Sequence, residues 1–362
     1  DIKIHRVRVI PPSWTQILGF DQLAFRSLWF VKKKVNQILR KDSFDLIFFS
    51  TTQKGFLFLG PYWKKKFRVP FIVDIQDPFV NDYYAKSGIR PPGGKLKFSI
   101  SQRLGHLIEQ NVLPQAARLI SVSKPYLNEI RQRVSCLEPQ RSDVIPFPYS
   151  ANDHKRARDR PLPEWANTDK KIILSAGRGG KDLNFALEAF LKAVSIWGRK
   201  SEYEIQFVGT AYGLAEETAR SVTPVVGNIG IEGMVHEIPR RQPFLDVLRA
   251  QQAAAINLVL GSEDVRYTAS KCLPVLNSGK PLLAIFHEES PAAVFLKKVA
   301  PAYLCSFSSG EQLEGFVERL LAKLEELAAD RNSFDKIHED FLNFEAVQQA
   351  RTLSEIFYQS QS

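Results

Sequence analysis

The sequence predicts an α/β protein built as two Rossmann-like βαβ domains, each with a parallel sheet, facing each other across a cleft. Short continuous apolar runs recur along the chain, as strands buried on both faces of a parallel sheet require. Stretches with helical start and stop signals alternate with them, the order expected of βαβ units. A polar, charge- and proline-rich segment at 149–168 interrupts this alternation, which then starts afresh, so it reads as a linker between two halves. With 362 residues, 44% of them hydrophobic, the chain is long enough for two full cores.

In the first half, the expected strands are Phe44–Ser50, Pro70–Ile75, Ala117–Ser123 and Ser142–Pro148. Helices are expected over Gly55–Phe67, Lys95–Leu113 and Lys124–Arg133. In the second half, the strands are "KKIILSAG", "YEIQFVG", "GMVHEIP", "AAAINLVL", Leu282–Phe286 and "PAYLCSF". Helices are expected over Lys181–Trp197, Gly213–Ser221, Phe244–Ala253 and the stretch opening at Ser270, with further helices from Gly310 onward. The domains expected are 1–155 and 156–333, followed by a helical tail, 334–362, that crosses back to the first domain.

Composition narrows the function classes. No apolar run reaches the ~18 residues needed to span a bilayer, and no signal peptide is visible. Cys136, Cys272 and Cys305 are scattered and odd in number, which fits buried thiols in a reducing, cytoplasmic compartment. The only methionine is Met234 and residue 1 is Asp1, so the first elements are expected to be missing. Charge is uneven. Residues 1–155 hold 25 Lys+Arg against 12 Asp+Glu, and the remainder 24 against 27. A basic first half suits an acidic partner or a solvated basic surface. No nucleic-acid-binding module is recognisable, so nucleic acid is not an expected partner. The six histidines show no metal-ligand spacing.

Candidate chemistry sits at strand ends. Gly177, Arg178, Gly179 and Lys181 follow the first strand of the second half. Glycines admit a phosphate close to the backbone and the two cations neutralise it, but a Gly-rich turn with solvated cations fits as well. The segment lacks both the GK[ST] ending of a P-loop and the GxGxxG dinucleotide fingerprint. Gly209 and Thr210 end the next strand in a turn that either lines a ligand or simply closes tightly. Ser270 and Lys271 open a helix ("SKCLPVLNSGKPLLA") with Ser270 as its N-cap and Gly279 at its end. Three anion-friendly strand ends fit a nucleoside diphosphate better than one phosphate. In the first half, Asp77 in "DIQDPF" is either an acid/base group or an Asp-Pro turn.

The ordered set "GRGGKD…FVGTAYG…SKCLPVLNSGKPLLA", with "FDLIFFST", "PFIVDIQDPF", "ARLISVSKPYLNEI" and "VIPFP" before it, resembles the GT-B fold glycosyltransferases of the family 4 type over most of the chain. The resemblance implies transfer of a sugar from a nucleotide-sugar donor to a polysaccharide or lipid-linked acceptor, in cell-surface polysaccharide biosynthesis. It implies retention of anomeric configuration and no metal or other cofactor, and no DxD pair is present. Arg178 and Lys181 match the residues that contact the donor diphosphate, with Gly177, Gly179, Ser270 and Lys271 beside them. Gly209, Thr210, His236 and Ile238 fall where the donor is lined, His236 near the base. Asp77 is the candidate for orienting the acceptor.

Two departures stand out. The family's ribose-binding glutamate corresponds to Pro274, and an acid eight residues earlier corresponds to Arg266. Glu263 and Asp264 are the nearby candidates to replace the earlier acid. These departures motivate an alternative, a degenerate GT-B protein that binds nucleotide, sugar or a partner without turnover. A sugar-nucleotide epimerase on the same fold is a third reading. Two stretches, Phe25–Val35 and Gly55–Phe71, mix aromatics with a lysine triplet. They suit either an anionic membrane surface, on the inner face of the cytoplasmic membrane, or core-facing helices with a lysine rim.

Overall fold

The computed structural model describes residues 2–11, 23–80, 94–211, 220–268, 270–329 and 334–360. They form two compact units, residues 1–146 with 350–362, and residues 147–349.

The first unit carries a four-stranded parallel sheet, β1 (Ile47–Ser50), β2 (Phe71–Ile75), β3 (Arg118–Ser121) and β4 (Ser142–Val144), in that spatial order. Its helices are α1 (Leu23–Lys41), α2 (Leu59–Phe67), α3 (Lys95–Asn111) and α4 (Lys124–Arg133). β2 is buried along nearly its whole length, which is why it reads as an unbroken apolar run.

Both lysine-rich stretches turn their apolar side inward. Leu28, Val31, Val35 and Leu39 of α1 pack on the core, as do Phe56, Phe58 and Phe67. Trp63 is buried and its indole N–H donates to Asn36 Oδ1 at 3.0 Å. Lys64 of the triplet donates to the carbonyl of Gln115 at 2.7 Å. Of these aromatics, Trp29 remains strongly exposed, at 63%.

In the second unit, α5 (Ala151–Arg158) precedes β5 (Lys171–Ala176). Then follow α6 (Asn184–Ile196), β6 (Tyr203–Val208), α7 (Thr223–Ile229), β7 (Val235–Ile238), α8 (Phe244–Ala253) and β8 (Ile256–Leu260). The unit closes with α9 (Cys272–Leu276), β9 (Leu282–His287), α10 (Pro291–Val299), β10 (Leu304–Phe307) and α11 (Leu313–Ala329). All six strands are parallel, in the order β10-β9-β8-β5-β6-β7. The order reverses between β5 and β8, and crevices for ligands open at the carboxyl ends of strands beside such a switch point. The core is dense. Trp197 and Tyr203 are fully buried against each other at 4.6 Å, and the Trp197 indole donates to Glu325 at 2.8 Å. Each such ring contributes about 1.5–3 kcal/mol by burial.

Three sequence expectations differ from the structure. Segment 149–168 is not a loose linker. Ser150 caps α5 through the Asp153 N–H, and buried His154 packs against α8, its carbonyl accepting from Gln252 at 2.9 Å. Unit division therefore falls at 146, not 155. The tail also divides. Phe341 stacks on Tyr149 at 4.4 Å and Phe344 meets Phe295, which holds residues up to 349 in the second unit. Only residues 350–362, within and beyond α12 (Ala346–Gln359), join the first unit, where Leu353, Ile356 and Phe357 cover Ile72 and Ile120. The helix expected over Gly213–Ser221 lies almost wholly outside the described residues.

Candidate active site

A cleft of about 450 Å³ opens at the carboxyl ends of β5 and β6, lined by Gly177, Arg178, Gly209, Arg241, Tyr267 and Lys271, among others. The loop after β5 bends through Gly177 (φ 153°) and Gly180 (φ 155°). Glycine at 177 has a specific reason. A Cβ there would lie 1.7 Å from Lys271 Nζ. At 179 a Cβ would lie 1.8 Å from Ser221 Oγ, a buried hydroxyl with no partner among the described residues. The N–H groups of Gly177 and Gly179 donate to the carbonyls of Val208 and Thr210, both at 2.8 Å. Those amides continue the β5–β6 ladder and are therefore not available to a ligand.

Three cations gather. Arg178 makes a bidentate pair with Asp182, at 2.9 and 2.8 Å, and its guanidinium lies 5.3 Å from the Tyr267 ring. Burial alone would raise Asp182, but hydrogen bonds from Arg178 and Ser262 and the Arg178 charge outweigh it and hold its pKa below the usual carboxylate value. Lys271 has no carboxylate partner among the described residues. Burial, with the charges of Arg178 and Arg241 beside it, lowers its pKa to about 8. An amine crowded by like charge and partly buried is an arrangement that a bound anion would relieve. Arg241, on the loop after β7, was missed in the sequence because "IPRRQP" carries no motif. Only the fold brings it to Lys271.

The other expected residues divide. Lys181 is exposed and is not among the residues lining the cleft. Gly209 (φ 75°) does line it. Thr210 is buried and structural, its hydroxyl donating to Glu237 at 2.6 Å. Glu237, also missed, accepts from the N–H groups of Ser221 and Thr223 and from the Thr223 hydroxyl. It fills the α7 N-terminus with the protein's own carboxylate. Burial opposes the charge, but these bonds prevail and lower its pKa. His236 and Ile238 line a different recess.

Ser270 does not cap α9. Lys271 takes the cap position, and no side-chain cap bond forms. Pro274 is the third residue of α9, where a helix leaves the backbone N–H unpaired in any case, so it costs no hydrogen bond. Asp264 is bound by Arg266, at 3.0 and 3.3 Å, and Glu263 reaches solvent, although the protein packed around it and the charge of Asp182 raise its pKa. Among the described residues, no carboxylate lines the cleft.

In the first unit, Asp74 accepts from Ser50 at 2.9 Å and Gln76 at 2.8 Å. Asp77 reaches solvent, yet the protein crowded around it raises its pKa against the pull of Lys54. Lys54 itself donates to the Phe79 carbonyl at 2.8 Å. Among the described residues, no three His, Cys, Asp or Glu side chains gather as metal ligands.

No family model and no curated protein matches the sequence. Solved structures do match the fold. Sucrose-phosphate synthase from Thermosynechococcus elongatus superposes with a TM-score of 0.63 at 14% identity, over 93% of this chain and 78% of that one. Anabaena HepE in complex with UDP and glucose gives 0.61 at 14% identity, over 90% and 81%. WaaG, a glycosyltransferase involved in lipopolysaccharide biosynthesis, gives 0.54 at 11% identity, over 91% and 93%. With its two parallel sheets and these neighbours, the chain has the GT-B glycosyltransferase fold.

Proposed function

We propose that the protein is a glycosyltransferase that moves a sugar from a nucleotide-sugar donor to a saccharide or lipid-linked acceptor. One observation carries the reading: Lys271, Arg178 and Arg241 converge on a cleft at the switch point of a GT-B donor-type sheet. Fixed cations there stabilise the diphosphate as negative charge develops on departure. They supply charge that other transferases take from a divalent ion, which supports a metal-independent reaction. Phe244, 59% exposed, and Val247 give the same cleft an apolar end suited to a base. UDP is the first nucleotide to test, since HepE was solved with it. Asp77, with its raised pKa, is the group proposed to orient or deprotonate the acceptor hydroxyl. Retention of configuration and a place in cell-surface polysaccharide synthesis belong to the same proposal.

An exposed face of α3 supports an acceptor at an anionic membrane surface. Leu96, Ile100 and Leu107 are 77%, 44% and 53% exposed on one helical stripe, flanked by Lys95, Lys97, Arg103 and His106 with no acid among them. No described helix is long and apolar enough to cross a membrane.

Among the described residues no carboxylate lines the cleft, which favours a second reading, nucleotide binding without turnover. Incubation with sugar nucleotides and a membrane lipid extract separates them. A transferase releases nucleoside diphosphate and labels the acceptor. A binder retains nucleotide and releases none, and an epimerase changes the donor sugar without acceptor.

A further inference from the structure

A second recess, of about 580 Å³, lies in the same unit and is not used by the proposed reaction. Trp165, Asn167, Thr168, Glu204, Gln206 and His236 line it, with others. It follows the edge strand β7, whose four residues all line it, from the amino ends of β5 and β6 to Ile238 at the carboxyl end of β7. Asn167 and Thr168 precede β5, and Glu204 and His236 are each second in their strand. Four residues of extended β6, about 13 Å, separate Glu204 from Val208 on the cleft.

The chemistry of this recess differs from that of the cleft. Alternation along β6 sends Tyr203, Ile205 and Phe207 to the apolar core and leaves Glu204 and Gln206 on the opposite face. There the polar groups form a line. Thr168 Oγ1 donates to Glu204 Oε2 at 3.1 Å, Gln206 Nε2 donates to Glu204 Oε1, and His236 Nε2 stands 3.9 Å from Glu204. Gln206 is only 3% exposed, and its carbonyl oxygen has no partner among the described residues. A buried polar group without a partner is rare enough to require a reason. Half-buried Trp165 adds an apolar wall, and Asn167 an exposed carboxamide.

We propose that this recess binds a neutral saccharide chain, at a subsite separate from the donor cleft. Its wall mixes carboxylates (Glu204, Glu232), a guanidinium (Arg220), a carboxamide (Asn167) and an imidazole (His236), so it suits a ligand whose hydroxyls both donate and accept. Glu204 and Glu232 together outweigh Arg220 and disfavour an anion. An indole beside planar hydrogen-bonding side chains fits a pyranose, which has an apolar ring face and a polar rim. Such a subsite would hold a glycan acceptor or product near the enzyme while the cleft turns over.

The test is a glycan array probed with the labelled full-length protein, followed by calorimetry on the best-retained oligosaccharide. Variants are Trp165→Ala, Glu204→Gln and Lys271→Ala, each checked for an unchanged melting profile. The expected result is retention of a subset of neutral glycans, weakened at least tenfold by Trp165→Ala and by Glu204→Gln. Lys271→Ala and saturating pyrophosphate leave it unaltered. Retention of no glycan by the folded wild type overturns the proposal, whether or not nucleotide binds. So does retention lost in Lys271→Ala but kept in Trp165→Ala, which would place the glycan in the cleft.

Discussion

Lys271 lies across Gly177: its amine occupies the space that a Cβ at residue 177 would need. The strand end of β5 and the start of α9 are thereby packed into one wall of the cleft. A single methyl group at 177 is enough to break it. Gly177→Ala combines a positive φ of 153° with a collision against Lys271. It is expected to cost about 1–3 kcal/mol of stability and to weaken nucleotide binding at least tenfold. Urea denaturation and calorimetry check the two parts separately.

The second prediction concerns pH. Burial, with Arg178 and Arg241 beside it, lowers the pKa of Lys271 to about 8 from its ordinary 10.5. Its folded pKa is depressed, so between those values the unfolded chain holds more protons, and its contribution to stability rises with pH across that window. A bound diphosphate favours the charged amine and reverses the shift. Affinity should therefore vary little between pH 7 and 8, above the pKa of about 6 of a terminal phosphate, and fall as pH rises above 8, with proton uptake on binding. Calorimetry in buffers of different ionisation enthalpy measures that uptake, and Lys271→Met should abolish it.

Pro274 gives a third. It stands where the resemblance places a ribose-binding glutamate, at the third position of α9. That position accepts glutamate well. Pro274→Glu should fold, leave pyrophosphate affinity unchanged, and raise affinity for a nucleoside diphosphate severalfold. No gain for the nucleotide over pyrophosphate would show that the ribose lies elsewhere.

The fourth concerns His154, which anchors α5 against α8. Burial lowers its pKa to about 4 from 6.5, with Asp153 raising and Arg158 lowering it further. The folded state keeps it neutral, so stability is lost as pH falls from 6.5 towards 4. The loss is about 3 kcal/mol if no other group compensates. His154→Leu should flatten the urea midpoint over that window.

Strands were legible in the sequence because burial on both faces leaves unbroken apolar runs, as in Phe71–Ile75 and Leu282–His287. The glycines at 177 and 179 were legible too, since tight turns admit few other residues. Segment 149–168 was not. Its helix is short and mostly polar, and the contacts that hold it, His154 with Gln252 and Tyr149 with Phe341, are distant in sequence. Lys181 and Lys271 looked alike as lysines near strand ends. Only packing shows that Lys271 is half-buried among cations while Lys181 faces solvent. Arg241 and Glu237 carry no local signal, because their roles depend on loops brought together by the sheet. The Arg266–Asp264 pair was equally hidden. An arginine in place of an acid reads as a loss, whereas here it also occupies the neighbouring acid.

Calorimetry of UDP, GDP, dTDP, CMP and pyrophosphate against wild type and Lys271→Met tests the central claim most directly. The account predicts that pyrophosphate and at least one nucleoside diphosphate bind the wild type. It predicts that both lose at least tenfold in the variant while its melting temperature holds. Binding of none by a folded wild type, or equal binding by Lys271→Met, would contradict it.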